Sequence, residues 1–153
     1  MKKLHTVYLL DASAIALILR EKRRKAPKLL TRNTAISLAY YELCNVLWKE
    51  AFLLKIISPQ VALKTAEYLA YILKEMHIQH LSSPEDLREV LSLALKTGLT
   101  AYDASYLYVA RKLGITLVTE DNDLAKAARR CKVKVISVSR YLSEHEEDCS
   151  LKP

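Results

Sequence analysis

The stretch TVYLLDASAIALIL, residues 6–19, decides how the rest of the chain is read. It opens with a short apolar run, Val7 to Leu10, that ends on a carboxylate, Asp11. A run of that length bounded by a polar residue reads as a buried strand over residues 6–10. Ser13 follows two places on, and apolar residues then recur at helical spacing, so a helix is expected from Ser13 to about Lys25. A charge therefore stands where one buried element stops and the next begins. Taken alone, Asp11 fits the N-cap of that helix. In an open α/β sheet, however, the space just outside a strand's carboxyl end is also where ligands gather.

Working outward, residues 35–38 form a second short apolar strand candidate, and 39–55 a strongly apolar helix. Ser58-Pro59 and Ser83-Pro84 each place a serine N-cap before a proline at the first helical position. The first of these helices runs to about Met76, and the second ends at Gly98. Thr100 opens another helix that ends at Gly114, so both glycines sit where helix C-caps favour them. HIQHL (77–81), ITLVT (115–119) and VKVISV (133–138) read as strands, and 124–130 as a helix. Strands alternating with helices predict an α/β fold with a parallel sheet. Residues 1–142 read as one domain, followed by a flexible acidic tail at 143–153.

That tail holds Glu144, Glu146, Glu147 and Asp148 against a single base, Lys152. Without it the net charge rises from +7 to +10, with 23 bases and 13 acids in residues 1–142. A basic body of this kind suits a polyanionic partner, nucleic acid first, although charge alone serves solubility equally well. No apolar run is long enough for a membrane span, and nothing after MKKLH resembles a signal-peptide cleavage site. The three cysteines, Cys44, Cys131 and Cys149, lack metal-ligand spacing. A cytoplasmic protein in a reducing compartment is expected.

Four acids stand out. Asp11 and Asp121 each lie at or just past the end of a strand, where either is also a plausible helix cap. Glu42 is one of few polar residues in its helix, with Asn45 and Lys49 at i+3 and i+7, on one face. Thr100 and Asp103 have the spacing of a capping box, yet Asp103 is also the only acid among apolar residues and tyrosines up to Arg111. Four acids in one pocket repel unless a cation joins them. Oxygen ligands without histidine or cysteine favour a hard ion, Mg²⁺ or Mn²⁺, a chemistry suited to phosphodiester hydrolysis.

Four segments carry a family resemblance: LLDASAIA, YYELCNVLWK, TAYDASYLYVA and LVTEDNDLAKAA, in that order across residues 6–138. The chain resembles the PIN-domain ribonucleases, and within them the VapC-like toxins of prokaryotic toxin–antitoxin pairs. The resemblance implies a Rossmann-like α/β/α sandwich with a parallel sheet of about five strands. It further implies an acidic Mg²⁺ or Mn²⁺ pocket, RNA as substrate, homodimers, and an antitoxin protein that covers the pocket. Asp11, Glu42, Asp103 and Asp121 match the family's acidic positions. Ser13 and Thr119 match its small hydroxyl positions beside the metal, and Asn45 a polar position one turn beyond the glutamate. Asp123 is a further candidate acid.

Other features weigh less. The basic run REKRRKAPK, residues 20–28, reads equally as an RNA contact or as the solvated end of the first helix. His77 and His80 are too few for a metal site. Trp48 with Phe52, and Tyr68 with Tyr71 and Ile72, suit a core or a dimer interface. A catalytically silent PIN-like RNA-binding or regulatory module is the alternative function. A haloacid-dehalogenase-type phosphatase wants an aspartate at position 13, where serine stands. A receiver domain wants an acid at position 12, where alanine stands.

Overall fold

The computed structural model describes residues 7–147. Five short strands, Tyr8–Leu10 (β1), Thr34–Ile36 (β2), His77–Gln79 (β3), Thr116–Val118 (β4) and Val135–Ile136 (β5), form one all-parallel sheet in the order β3-β2-β1-β4-β5. From central β1 the chain winds outward through β2 to β3, then returns to the other flank for β4 and β5. The winding direction therefore switches between β1 and β4, which pair in register from Tyr8↔Thr116 to Leu10↔Val118. A crevice opens outside the carboxyl ends of two strands at such a switch point.

Side chains alternate across the strands, and each face buries its own core. Tyr8, Leu10, Ala35 and Val118 face one way. They meet helices Ala12–Lys22 (α1), Ala26–Leu30 (α2), Leu38–Trp48 (α3), Pro59–Lys74 (α4) and Val138–Glu147 (α8). Leu9, Ile36 and Leu117 face the other way, onto Pro84–Thr97 (α5), Ala101–Leu113 (α6) and Asn122–Arg130 (α7). The expected parallel α/β sandwich is thus the fold observed. The expected caps are present: Ser58 and Ser83 accept from the N–H groups three residues on, at 3.2 and 3.0 Å. Gly98 and Gly114 end their helices at φ 77° and 63°, the left-handed region that a side chain resists.

The structure departs from the sequence reading in four places. Strand β2 begins at Thr34, and Leu38 already belongs to α3. The first helix stops at Lys22. Arg23 takes a positive φ of 41°, a 3-10 turn spans Arg23–Lys25, and Pro27 lies in the first turn of α2, where its missing N–H does no harm. The 39–55 segment splits into α3 and a π-helical turn, Lys49–Leu53. Finally, VKVISV is strand only at Val135–Ile136, and the predicted tail enters α8, whose Val138, Tyr141 and Leu142 are buried at helical spacing. Within the supposed tail, Glu144 accepts from the Tyr8 hydroxyl at 2.9 Å and from Arg140 Nε at 2.8 Å. Residues 143–147 are therefore part of the folded domain, and 148–153, Cys149 included, lie outside the described residues.

One side chain ties this face together. Asn33 Oδ1 accepts the Tyr8 N–H at 3.1 Å, while its amide donates to the Leu29 carbonyl at 2.9 Å and the Tyr141 hydroxyl at 2.8 Å. It is 6 % exposed, so none of these bonds is readily replaced by water. Asn33→Ala removes the acceptor of a strand N–H and leaves a small cavity. We expect a loss of about 2–3 kcal/mol in denaturant unfolding, without a change in the slope of the transition.

Candidate active site

Asp11 leaves β1 with extended backbone, φ −79° and ψ 172°, as the N-cap of α1, and its Oδ1 accepts the Ala14 N–H at 2.8 Å. Capping does not exhaust its contacts. Ser13 Oγ donates to the same Oδ1 at 2.7 Å, and Thr119, just past β4, donates its hydroxyl to Oδ2. Each hydroxyl is held in turn. Ser13 Oγ accepts the Glu120 N–H at 3.2 Å, and Thr119 Oγ1 accepts the Asp121 N–H at 3.0 Å. One carboxylate thus clamps the start of α1 to the loop after β4 across the switch point. Oδ1 carries two donors and Oδ2 one, so Oδ2 retains an acceptor site.

Asp11 is 5 % exposed. Burial raises its pKa above the ordinary carboxylate range. The bonds from Thr119, Ser13 and Ala14 oppose that rise, and the Asp121 charge adds to it. Asp121 itself is exposed and N-caps α7, accepting the Leu124 N–H at 2.8 Å.

Glu42 lies in the second turn of α3, half-buried, with Tyr106 donating its hydroxyl to Oε2 at 2.6 Å. Its pKa is raised, chiefly by burial and further by the charges of Asp11 and Asp103, against the Tyr106 bond. The Tyr106 phenol is raised in turn, by burial and then by Glu42, which keeps it a donor. Asp103 opens α6 in a reciprocal capping arrangement. Its N–H donates to Thr100 Oγ1 at 3.2 Å, and the hydroxyl donates back to Oδ2 at 3.0 Å. Burial raises this pKa too, followed by the charges of Asp121 and Asp123. The four acids come from four separate elements and share one electrostatic field.

Asn45 and Asp123 stand apart from this hydrogen-bonded group. Asn45 is exposed on α3 and bonds to none of the acids; Asp123 is exposed in the first turn of α7. The helix bearing Glu42 is not buried all round: Tyr41, Cys44, Asn45 and Trp48 are exposed, as is Lys49 just beyond it, so the polar stripe is half solvent-facing. The sequence reading missed two partners. Tyr106 lies one turn beyond Asp103, on the same face, a spacing that could have found it. Glu120, within the quoted LVTEDND, turns its Oε1 away to accept the Val138 N–H at 2.7 Å and caps α8.

Among the described residues, no three acids, histidines or cysteines form a ready-made cage for an ion. The donor set nevertheless fits a hard cation. It is all oxygen, it is strongly anionic, and burial, with neighbouring acid charges adding to it, raises the pKa of three members. Mg²⁺ commonly binds through one or two carboxylates and keeps several waters, so a pocket of dispersed acids suits it.

Fold and site together define an α/β protein with a set of charge-coupled acids at the switch point of a parallel sheet. The chain belongs to the PIN domain family, whose model matches residues 8–130. It is 38 % identical over 117 residues to Exonuclease VapC9 of Pyrobaculum aerophilum, covering 76 % of this chain and 82 % of that protein. It is 35 % identical over 121 residues to Ribonuclease VapC3 of the same organism, covering 76 % and 90 %. The crystal structure of PAE2754 from P. aerophilum superposes with a TM-score of 0.72 at 33 % identity, covering 91 % of this chain and 96 % of that one.

Raised carboxyl pKa values mean that the folded chain holds protons more tightly than the unfolded chain. Metal-free stability should therefore fall as pH rises from the ordinary carboxylate range through the raised values, and recover on acidification. Glu42→Gln removes one charge and keeps an acceptor for Tyr106. In EDTA it should melt no lower than the parent, with a shallower decline as pH rises above the ordinary carboxylate range. A large drop in melting temperature would mean that the Glu42 charge stabilises the fold.

Proposed function

We propose that the protein is a Mg²⁺- or Mn²⁺-dependent endoribonuclease, the toxin of a VapBC-like toxin–antitoxin pair. The observation that carries this reading is the Asp11 carboxylate, held from two sides at the switch point and coupled by charge to Asp121 and Glu42, with Asp103 coupled in turn to Glu42. Family membership and relatives named as an exonuclease and a ribonuclease support nuclease chemistry.

The four carboxylates would hold the cation, directly or through water. A bound divalent cation supplies Lewis acidity toward the attacked phosphate and lowers the pKa of a nucleophilic water. The chain's own residues orient the pocket. Ser13 and Thr119 fix the rotamer of Asp11, and Tyr106 fixes Glu42. Water attacks phosphorus, the bond to the 3′ oxygen breaks, and that oxygen leaves as a hydroxyl. The products carry 5′-phosphate and 3′-hydroxyl ends. Of the three cysteines, Cys44 is exposed and Cys131 half-buried, neither bonded to a pocket acid.

Assembly is part of the proposal. An exposed apolar surface runs from α3 through the π-helical turn to α4, with Trp48 48 %, Phe52 66 % and Tyr71 73 % exposed. Trp48 and Phe52 stack with ring centroids 5.7 Å apart, outside the core. So much exposed aromatic area suits protein contacts, and we assign it to a homodimer and to the antitoxin together. No described helix is long and apolar enough to cross a membrane. RNA as substrate implies action in the cytoplasm.

Cleavage of a mixed RNA pool, with end-group analysis, tests the mechanism. Asp11→Ala and EDTA should each abolish cleavage. A 2′,3′-cyclic phosphate product, or activity surviving both treatments, refutes the reading. Ser13→Ala and Thr119→Val keep the carboxylates but release Asp11, and should each lower kcat/KM or metal affinity by about 10–100-fold.

A further inference from the structure

Beside the acids lies a second concavity, a groove of about 570 Å³ between α7 and the bend at Thr97–Leu99. Its lining is cationic: Lys126, Arg129 and Arg130, all exposed. Among the described residues none of the three has a carboxylate partner within ion-pair distance; Arg130 reaches only the Thr97 carbonyl, at 3.5 Å. Elsewhere several bases are engaged, as in Lys112 with Asp86 at 2.9 Å and Arg140 with Glu144 at 2.8 Å.

The groove joins the site. Asp123 lines it, and the Asp103 carboxyl senses the charge of Asp123. The chain leaving Leu99 enters Thr100, the cap of Asp103. Along α7, Asp123, Lys126 and Arg130 fall at i, i+3 and i+7, on one face, with Arg129 beside them. Charge therefore reverses along one helix, from acids at its N-terminal end to three bases at its C-terminal end. At ~1.5 Å per residue the span is roughly 10 Å, or about three nucleotides at the ~3.4 Å rise of a stacked strand.

We propose that Lys126, Arg129 and Arg130 form the track that holds the sugar–phosphate backbone of the RNA strand on one side of the scissile bond. This rests on the nuclease reading above. The acids repel a polyanion, so the strand needs a compensating cationic contact close to the pocket. Three unpaired bases leading away from Asp123 supply it. The contacts are to backbone, so the track sets position without reading sequence. Lys126, Arg129 and Arg130 are positioning residues, not catalytic ones.

The test is fluorescence anisotropy with a labelled 20-nucleotide single-stranded RNA in EDTA, where binding is measured without cleavage. Lys126→Ala/Arg129→Ala/Arg130→Ala should bind about tenfold more weakly, and the slope of log affinity against log salt should become shallower by about 2, at ~0.7 per contact. The control Lys64→Ala/Lys74→Ala, on exposed positions of α4, should leave the slope unchanged. An unchanged slope in the triple variant, or an equal change in the control, overturns the proposal. Should the triple variant fail to fold, the parent protein is tested with RNA whose charged phosphates are replaced by methylphosphonates, on each side of the cleavage position in turn. Loss on one side only supports the track; equal loss on both sides, or none, overturns it. Absence of RNA binding by the parent protein also overturns it. Binding with the predicted slope change but no cleavage in Mg²⁺ or Mn²⁺ overturns the nuclease reading and leaves the track standing.

Discussion

The structure turns on the carboxylate of Asp11. It accepts from Ala14, Ser13 and Thr119 at once, and the two hydroxyls are themselves fixed by the N–H groups of Glu120 and Asp121. A buried anion is tolerable only when such donors replace the water it has lost. Those donors come from chain segments more than a hundred residues apart, joined because β1 and β4 are neighbours in the sheet. Packing of the sheet therefore builds the site, and the site's demand for donors fixes the local course of both loops. Fold and chemistry meet at one residue.

Around Asp11 the electrostatics are unfavourable by construction. Burial raises the pKa of both Glu42 and Asp103, the charges of Asp11 and Asp103 add to the first and those of Asp121 and Asp123 to the second, and each is steadied by a single hydroxyl, from Tyr106 and Thr100. Such strain usually marks a functional site, because the fold alone gains nothing from gathering like charges. Two of the acids also cap helices, which explains how the chain tolerates them. The same side chain satisfies orphan N–H groups at one end and faces the pocket at the other.

Much of this was legible in the residues because it is local. The apolar run into Asp11, the Ser-Pro helix starts and the two glycine caps are short-range signals, and the alternation of elements predicts a parallel sheet. What escaped is tertiary. Ser137 sits inside the alternating pattern of VKVISV, which masks its own capping of the Arg140 N–H at 3.3 Å, and the second cap, the Glu120 side chain that accepts the Val138 N–H, comes from a separate loop. The exposure of one side of α3 was hidden because the apolar residues that suggest a core also clothe an outer surface. In the sequence Tyr106 is only one tyrosine among several, since nothing in its own segment names Glu42 as its partner, 64 residues earlier.

Glu120 has a wider consequence. Its backbone N–H holds Ser13 at the pocket, while its side chain caps α8. Helix α8 in turn packs Tyr141 against Asn33 and sets Glu144 on the Tyr8 hydroxyl, at the start of the strand that delivers Asp11. The last described helix thus braces the first strand. A chain emerging from the ribosome carries Asp11, Glu42 and Asp103 well before it carries that brace. Chains fold from the N-terminal end as they are made, yet here the pocket's geometry is completed by a helix that follows all four acids in the chain. The order of synthesis thereby delays a fully formed pocket until α8 has been made.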